Sequence, residues 1–243
     1  RAQVLAFGWA RGRGLWRPQL LLLVRSAELT PLVLDAAGQM ALDEAVLLQS
    51  PPEAVVLRAY DWAAHACTFG YSLAYADVRA ACDARGWHGV VPVRRATGGG
   101  IVFHDGDLTF SLVFPWDRTC APETIYKNIH RGIHQALKAN GTANGLWSPE
   151  RKLEGIAQHC FSRPEKMDIV DDTGKKILGG ALRKKGTKGL YQGSLRADVP
   201  KAVVIEGIER EFGRPMTAIS PSWLEVGREL EARYRSAEWN ERR

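Results

Sequence analysis

Three consecutive glycines, Gly98, Gly99 and Gly100, follow Arg94 and Arg95 across Ala96 and Thr97, and lead on to His104 and Asp105. Such a run has no packing rationale in a core. It lets backbone approach a ligand closely and offers N–H groups to an anion or a carbonyl oxygen. Two arginines beside it can fix a phosphate or a carboxylate. A surface hairpin turn is the plainer alternative; the arginines and the His104-Asp105 pair favour a ligand loop. The loop lacks the Lys-Ser/Thr ending of a P-loop, so NTP hydrolysis is not supported. His130 and His134 stand at i,i+4, but Arg131-Gly132-Ile133 between them holds no Glu, so they are expected to flank an amphipathic helix rather than serve a metalloprotease. The cysteines Cys67, Cys82, Cys120 and Cys160 stand far apart with no CxxC pair. That argues against zinc and makes a reduced, cytoplasmic setting the default. The Arg183-Lys184-Lys185 cluster with Lys188 reads as a solvated turn or as a docking patch.

These residues need a scaffold. The 243 residues are 45% hydrophobic and 25% charged, enough for a sizeable core in one large α/β domain or two small ones. No apolar run approaches the roughly 18–20 residues of a membrane span. Leu20–Val24, between Arg17 and Arg25, reads as a strand or short buried segment, and no signal peptide is expected. Residues 1–28 are read as an uncertain N-terminal arm and 29–243 as a single catalytic domain. Apart from the Arg183-Lys184-Lys185 cluster, the net charge of +6 is spread along the chain; a basic balance suits nucleic acid, anionic membranes or acidic proteins, and of these neither nucleic acid nor membrane is expected as a partner.

Helices are expected over Gly38–Ser50, Tyr75–Arg85, Pro122 to about Gly141, Lys201–Phe212 and Pro221–Arg235, from apolar spacing and from Pro and Gly at their ends. Strands are expected over Ala54–Tyr60, Val90–Arg95, Thr109–Phe114, Met167–Val170, Lys176–Leu182 and Leu190–Asp198. The second and third flank the glycine turn, and Phe110, Leu112 and Phe114 share one face. Without a βαβ rhythm, this order predicts an α/β (α+β) fold with a mixed sheet flanked by helices.

The block RRATGGGIVFHDGDLTFS resembles the signature of the biotin/lipoate protein ligase and octanoyltransferase superfamily. GQMALDEAVL is similar to that family's first helix, and VLRAYDWAAHACTFGYSLAYADV to its next strand and turn. GKKILGGALRKKGTKGLYQGSL is similar to its lysine segment and last site strand. Four blocks in order cover about Gly38 to Asp198, and the resemblance implies the biotin/lipoate protein ligase catalytic-domain fold. It also implies that Lys176 stands beside the acyl carbonyl, with Arg94, Arg95, Thr97, Gly98, Gly99, Gly100, His104, Gly179, Gly180 and Ala181 binding substrate. His104 would orient groups, shuttle a proton or tether the loop. Val93, Ile101, Phe103 and Leu178, or their strand neighbours, would wall an apolar slot.

Cys160, in HCFSRP and 176 − 160 = 16 residues before the lysine, resembles the Cys-Phe-x-x-Pro nucleophile of one octanoyltransferase group. The match there has one residue fewer between Cys and Lys, which implies a small turn insertion. Beside His159 and Arg163 such a thiol would have a lowered pKa. Another octanoyltransferase branch carries its cysteine after the last site strand, where Gln192-Gly193-Ser194-Leu195 has none. Cys67, Cys82 and Cys120 are read as structural.

The reaction implied is transfer of octanoyl or lipoyl from acyl carrier protein to a lipoyl-domain lysine, on dehydrogenase E2 subunits or the glycine cleavage H protein, through a Cys160 thioester. It requires no cofactor, because a thioester already carries the driving force. An ATP- and Mg-dependent lipoate–protein ligase is the first alternative. Those ligases usually carry a C-terminal accessory domain, for which the residues after Asp198 are few. An amidotransferase between carrier proteins and a non-catalytic carrier-binding module are the others.

Adjacent strand residues face opposite ways, so only one of Lys175 and Lys176 can enter the site. In an acyl-transfer assay Lys176→Ala is expected to lose on the order of 10²–10³-fold in rate, with Lys175→Ala close to wild type; a dead Lys175→Ala would reverse the register.

Overall fold

The computed structural model describes residues 33–148, 164–214 and 216–242. The expected Leu20–Val24 segment and the arm 1–28 lie outside them, as does Cys160. The longest strands alternate apolar side chains between two faces, and each face carries helices. A six-stranded antiparallel sheet runs β1 (Val56–Tyr60), β5 (Leu108–Pro115), β9 (Lys188–Leu195), β8 (Lys176–Lys185), β7 (Ile169–Val170) and β6 (Gly145–Leu146). On β5, Phe110, Leu112 and Phe114 point into the main core, as their shared face predicts. There they meet α3 (Pro122–Ala139) through Ile125, Ile129 and Ile133, and α4 (Lys201–Phe212) through Val204 and Ile208.

The opposite parity serves the other face. Val113, Val56 and Leu190 pack under α1 (Ala36–Gln49), which is covered in turn by α5 (Pro221–Arg235) through Trp223. Helix α1 is buried along nearly its whole length. A helix enclosed by sheet and helix has no solvent stripe, so its polar residues must find partners inside. Asp35 caps it by accepting from the Gly38 amide at 3.0 Å. Lys188 closes its other end, donating to the carbonyls of Leu48 at 3.2 Å and Ser50 at 2.7 Å. That contact, with the Arg183 bond to the Ala96 carbonyl at 2.7 Å, removes two cations from the basic cluster of the β8–β9 hairpin.

A second sheet stands beside the first, with β2 (Ala66–Phe69) between β3 (Val93–Arg94) and β4 (Ile101–His104), backed by α2 (Tyr75–Ala84). β3 runs parallel and β4 antiparallel to β2. The glycine run therefore does not turn a hairpin between paired strands. It crosses over the end of β2 to join two strands on its opposite sides. The sequence reading carried the chain from the glycine turn directly to the strand at Thr109; β4 intervenes, in a separate sheet. Helices α4 and α5 carry the expected bounds. A short α6 (Ala237–Asn240) follows. No helix among the described residues is long and apolar enough to cross a membrane.

Cys67 and Cys82 are fully buried in the small sheet and α2, where burial pushes the Cys67 thiol up, away from the reactive thiolate. His130 faces inward on α3, its Nε2 at 2.7 Å from the Tyr191 hydroxyl, while His134 lies against the Asn144 side chain at 2.5 Å. Burial drives His130 down to about 4, against roughly 6.5 in an unfolded chain. Between those values the unfolded chain binds the proton more tightly, so stability falls as pH drops through 6.5. This residue alone is expected to remove about 2 kcal/mol between pH 7.5 and 5. Urea unfolding at pH 5, 6 and 7.5 checks it: His130→Gln should flatten the slope, and an unchanged slope would place the titration elsewhere.

Candidate active site

Where the two sheets meet, a cleft opens with an empty space of about 560 Å³, its solvent-filled mouth included. The glycine loop forms one wall with Gly99 and Gly100, and β8 forms the other with Gly179, Gly180 and Ala181. Lys176 and His104 line it from opposite sides, and Met40, Tyr60, Trp62, Ile101 and Val102 supply apolar surface.

Lys176 is the first residue of β8, next to a register irregularity at Ile169/Val170. It is 11% exposed, and its Nζ lies 2.7 Å from Oδ2 of fully buried Asp168. The same carboxylate accepts from the Glu165 amide at 2.7 Å and from the Tyr126 hydroxyl, which itself accepts from the Gly180 amide at 3.1 Å. Lys175 is exposed. Lys176 and Leu178 share strand parity, yet Leu178 is buried in the main core and does not wall the cleft. The lysine arm reaches the cleft because Gly179 leaves room: a Cβ there would stand 2.2 Å from Lys176 Cε and 2.4 Å from Nζ.

The loop is held from within. Arg95, 5% exposed, donates to the carbonyls of Gly98 and Gly100 at 3.0 Å each and to the Thr68 hydroxyl at 2.9 Å. Thr68 Oγ1 lies 2.8 Å from His104 Nε2. Arg95 can only donate, so the Thr68 proton is left to go to Nε2, and the His104 proton sits on Nδ1, facing Asp107 Oδ2 at 2.9 Å. That carboxylate also accepts from Thr109 at 2.8 Å and Ser194 at 2.6 Å. Burial lowers His104 below the usual imidazole value against the pull of Asp107. Burial alone would raise Asp107; the bonds from His104, Ser194 and Thr109 hold it below the ordinary carboxylate range. With both ring nitrogens engaged and the Trp62 ring tilted 30° over the imidazole at 4.1 Å between centroids, the geometry favours tethering over proton shuttling for His104.

Thr97 is fully buried and donates to Gln192 Oε1 at 2.6 Å; Gln192 Nε2 donates to Asp43 Oδ2 at 2.6 Å. The sequence reading missed Asp43, Thr68, Asp107, Tyr126, Asp168 and Gln192 as site-building residues. The available signal was a polar residue inside an apolar run, as with Asp43 in QMALDEAVLL and Gln192 in LYQGSL.

Three expectations are corrected. Arg94 does not line the cleft, because its guanidinium is buried among backbone carbonyls behind the loop. Phe103 alternates with the cleft-facing Val102 and His104, so it points away and packs edge-on against Trp87 at 5.2 Å. Val93 is buried in the cluster around Met40, Tyr60 and Tyr234; of the expected slot, Ile101 and the strand neighbour Val102 line the cleft.

Residues 35–211 match the lipoyl protein ligase A/B catalytic domain. The chain belongs to that family. Among lipoyl protein ligase A/B relatives, it is 35% identical over 164 residues to the Octanoyltransferase LipM of Oceanobacillus iheyensis, covering 63% of this chain and 57% of that protein. It is 28% identical over 209 residues to the Octanoyltransferase LipM of Geobacillus kaustophilus, covering 76% and 73%. The chain thus spans somewhat more than half of the Oceanobacillus protein's length. Two solved structures share the fold. A lipoate-protein ligase A bound with ATP superposes with a TM-score of 0.67 at 21% identity, over 87% of this chain and 97% of that one. A bi-partite lipoate protein ligase from Thermoplasma acidophilum gives 0.63 at 18%, over 86% and 95%.

In this family member, Gly179→Ala separates lysine placement from folding. The methyl group collides with the flexible end of Lys176, which can swing away without moving the strand. The expected outcome is a rate loss on the order of that for Lys176→Ala, 10²–10³-fold, with a melting temperature no lower than that of Lys176→Ala, since both leave Asp168 without its cation. Full activity would show that the ammonium does not act from its observed position.

Proposed function

We propose that this chain transfers an octanoyl (or lipoyl) group from the thioester of acyl carrier protein to the lysine amine of a lipoyl domain, through an acyl-thioester on Cys160. The cysteine thiolate attacks the donor carbonyl, a new C–S bond forms, and the carrier thiol leaves with the proton. The acceptor amine then attacks the enzyme thioester, an amide forms, and the Cys160 thiol is released. Lys176, beside the glycine-lined wall, would stabilise the carbonyl oxygen as it gains charge, with backbone N–H groups of the loop as further donors. Arg95, Thr97, Gly98, Gly99, Gly100 and His104 would shape the acyl pocket with Gly179, Gly180 and Ala181.

The observation that carries this reading is a protected lysine ammonium facing a rigid glycine loop across a partly apolar cleft, in a chain whose relatives are named octanoyltransferases. The covalent tether supports the nucleophile. Cys160 stands 165 − 160 = 5 residues before Glu165, whose amide shares the Asp168 carboxylate with Lys176. E2 subunits and the glycine cleavage H protein are the acceptors proposed. No nucleotide takes part, and the setting is cytoplasmic.

Intact mass spectrometry after mixing with octanoyl-carrier protein, without ATP, should show one added octanoyl group. Cys160→Ser should lose both that rapid adduct and transfer to a lipoyl domain. Product formed only from free lipoate with ATP and Mg²⁺ would instead establish the ligase reaction, and full activity in Cys160→Ser would overturn the acyl-enzyme mechanism.

A further inference from the structure

We propose that Arg94 is a positioning residue that braces the glycine loop from behind by tying it to Trp239 and Asn240, the last residues of α6. Arg94 is fully buried. Its Nη1 donates to the carbonyls of Tyr71 and Leu73 at 2.7 Å each, Nη2 to that of Asn240 at 2.6 Å, and Nε to that of Trp239 at 3.1 Å. The backbone joins in: the Arg94 amide donates to Asn240 Oδ1 at 2.8 Å, and its carbonyl accepts from Trp239 Nε1 at 2.9 Å. The Asn240 amide group is spent on the carbonyls of Tyr234 and Ser236, which fastens α6 to the end of α5.

The loop at 70–73, held by Arg94, is the support on which the glycine loop rests. The Tyr71 amide donates to the Thr97 carbonyl at 2.9 Å and the Gly70 amide to that of Gly100 at 3.2 Å. The two backbones lie so close that a Cβ on Gly70 would stand 1.9 Å from the Gly99 carbonyl oxygen. Displacement at 239–240 is thus passed through one guanidinium to the loop that lines the cleft. Only arginine offers a rigid planar fork with donors in these divergent directions; a lysine offers three donors from one nitrogen. A misplacement of about 1 Å at a reacting centre costs on the order of 10²-fold.

The kinetic test rests on the octanoyl-transfer reading; the exchange test does not. Full-length Arg94→Met, Arg94→Lys and Asn240→Ala are compared using octanoyl-carrier protein and the phosphate-free donor octanoyl-N-acetylcysteamine. The expected result is a kcat lower by roughly 10- to 100-fold with either donor in Arg94→Met, with KM within about threefold. Arg94→Lys should recover part of the loss. Combining Arg94→Met with Asn240→Ala should add little, since the two loosen the same junction between residue 94 and α6 from its two sides. Hydrogen exchange at amides 96–100 should quicken in Arg94→Met and Asn240→Ala while that in β9 stays unchanged. A KM rise confined to the carrier-borne donor would make Arg94 an anion contact and overturn the proposal. So would unchanged loop exchange, or protection lost equally in every strand of Asn240→Ala. Should wild type turn over neither donor, the transfer reading fails, and loop exchange alone decides the brace.

Discussion

The site depends on one buried carboxylate. Asp43, 1% exposed in the middle of α1, accepts hydrogen bonds from Arg58 and Tyr60 of β1, Ser111 of β5 and Gln192 of β9. A carboxylate taken out of water is costly unless its lone pairs are filled, and these donors come from three neighbouring strands. The requirement therefore fixes how α1 lies across the sheet. Removing one partner of such a pair costs about 3–5 kcal/mol, because the other is left uncompensated. Through Gln192 and Thr97 the same network reaches the glycine loop, so the element that closes the cleft is registered against the core.

Around that anchor, the loop is immobilised on three sides. Arg95 holds its carbonyls from within, Arg183 of β8 bonds Ala96 across the cleft wall, and residues 70–73 support it beneath. Glycines buy close approach at the cost of conformational freedom. A loop of three glycines can serve as a fixed set of donors only when its neighbours remove that freedom. In the proposed reaction, donors preorganised in this way would need no rearrangement as charge develops on a carbonyl oxygen.

The lysine is arranged by the same logic. Asp168 holds the ammonium, Tyr126 holds Asp168, and the Gly180 amide holds the Tyr126 hydroxyl. Met167, just before Asp168, takes a positive φ of 74°, a region that costs a residue with a Cβ. That strain is tolerated where the surrounding bonds over-determine the backbone, here the exchange of Met167 and Asp168 with Trp147.

Much of this was legible in the amino-acid order itself. The 3.6 and 2 periodicities placed α3, α4, α5 and the inward face of β5, because burial on one face imposes those repeats. The glycine run marked the loop, since nothing in a core calls for three glycines. Strand alternation did not place the lysine: Lys175 precedes β8, and Lys176, of the same parity as core-facing Leu178, reaches the cleft over Gly179. What the order did not contain was which strand lies beside which. β4 was absorbed into a longer connection because four residues of an edge strand, three of them only half-buried, carry no clear period. Leu178 and Phe103 were turned toward the cleft because parity is read along one strand, whereas the cleft is formed between two sheets. Arg94 looked like an anion binder by its neighbours in sequence. Its real partners, Trp239 and Asn240, stand well over a hundred residues away, and only the folded chain brings their carbonyls to a guanidinium that burial obliges to be satisfied.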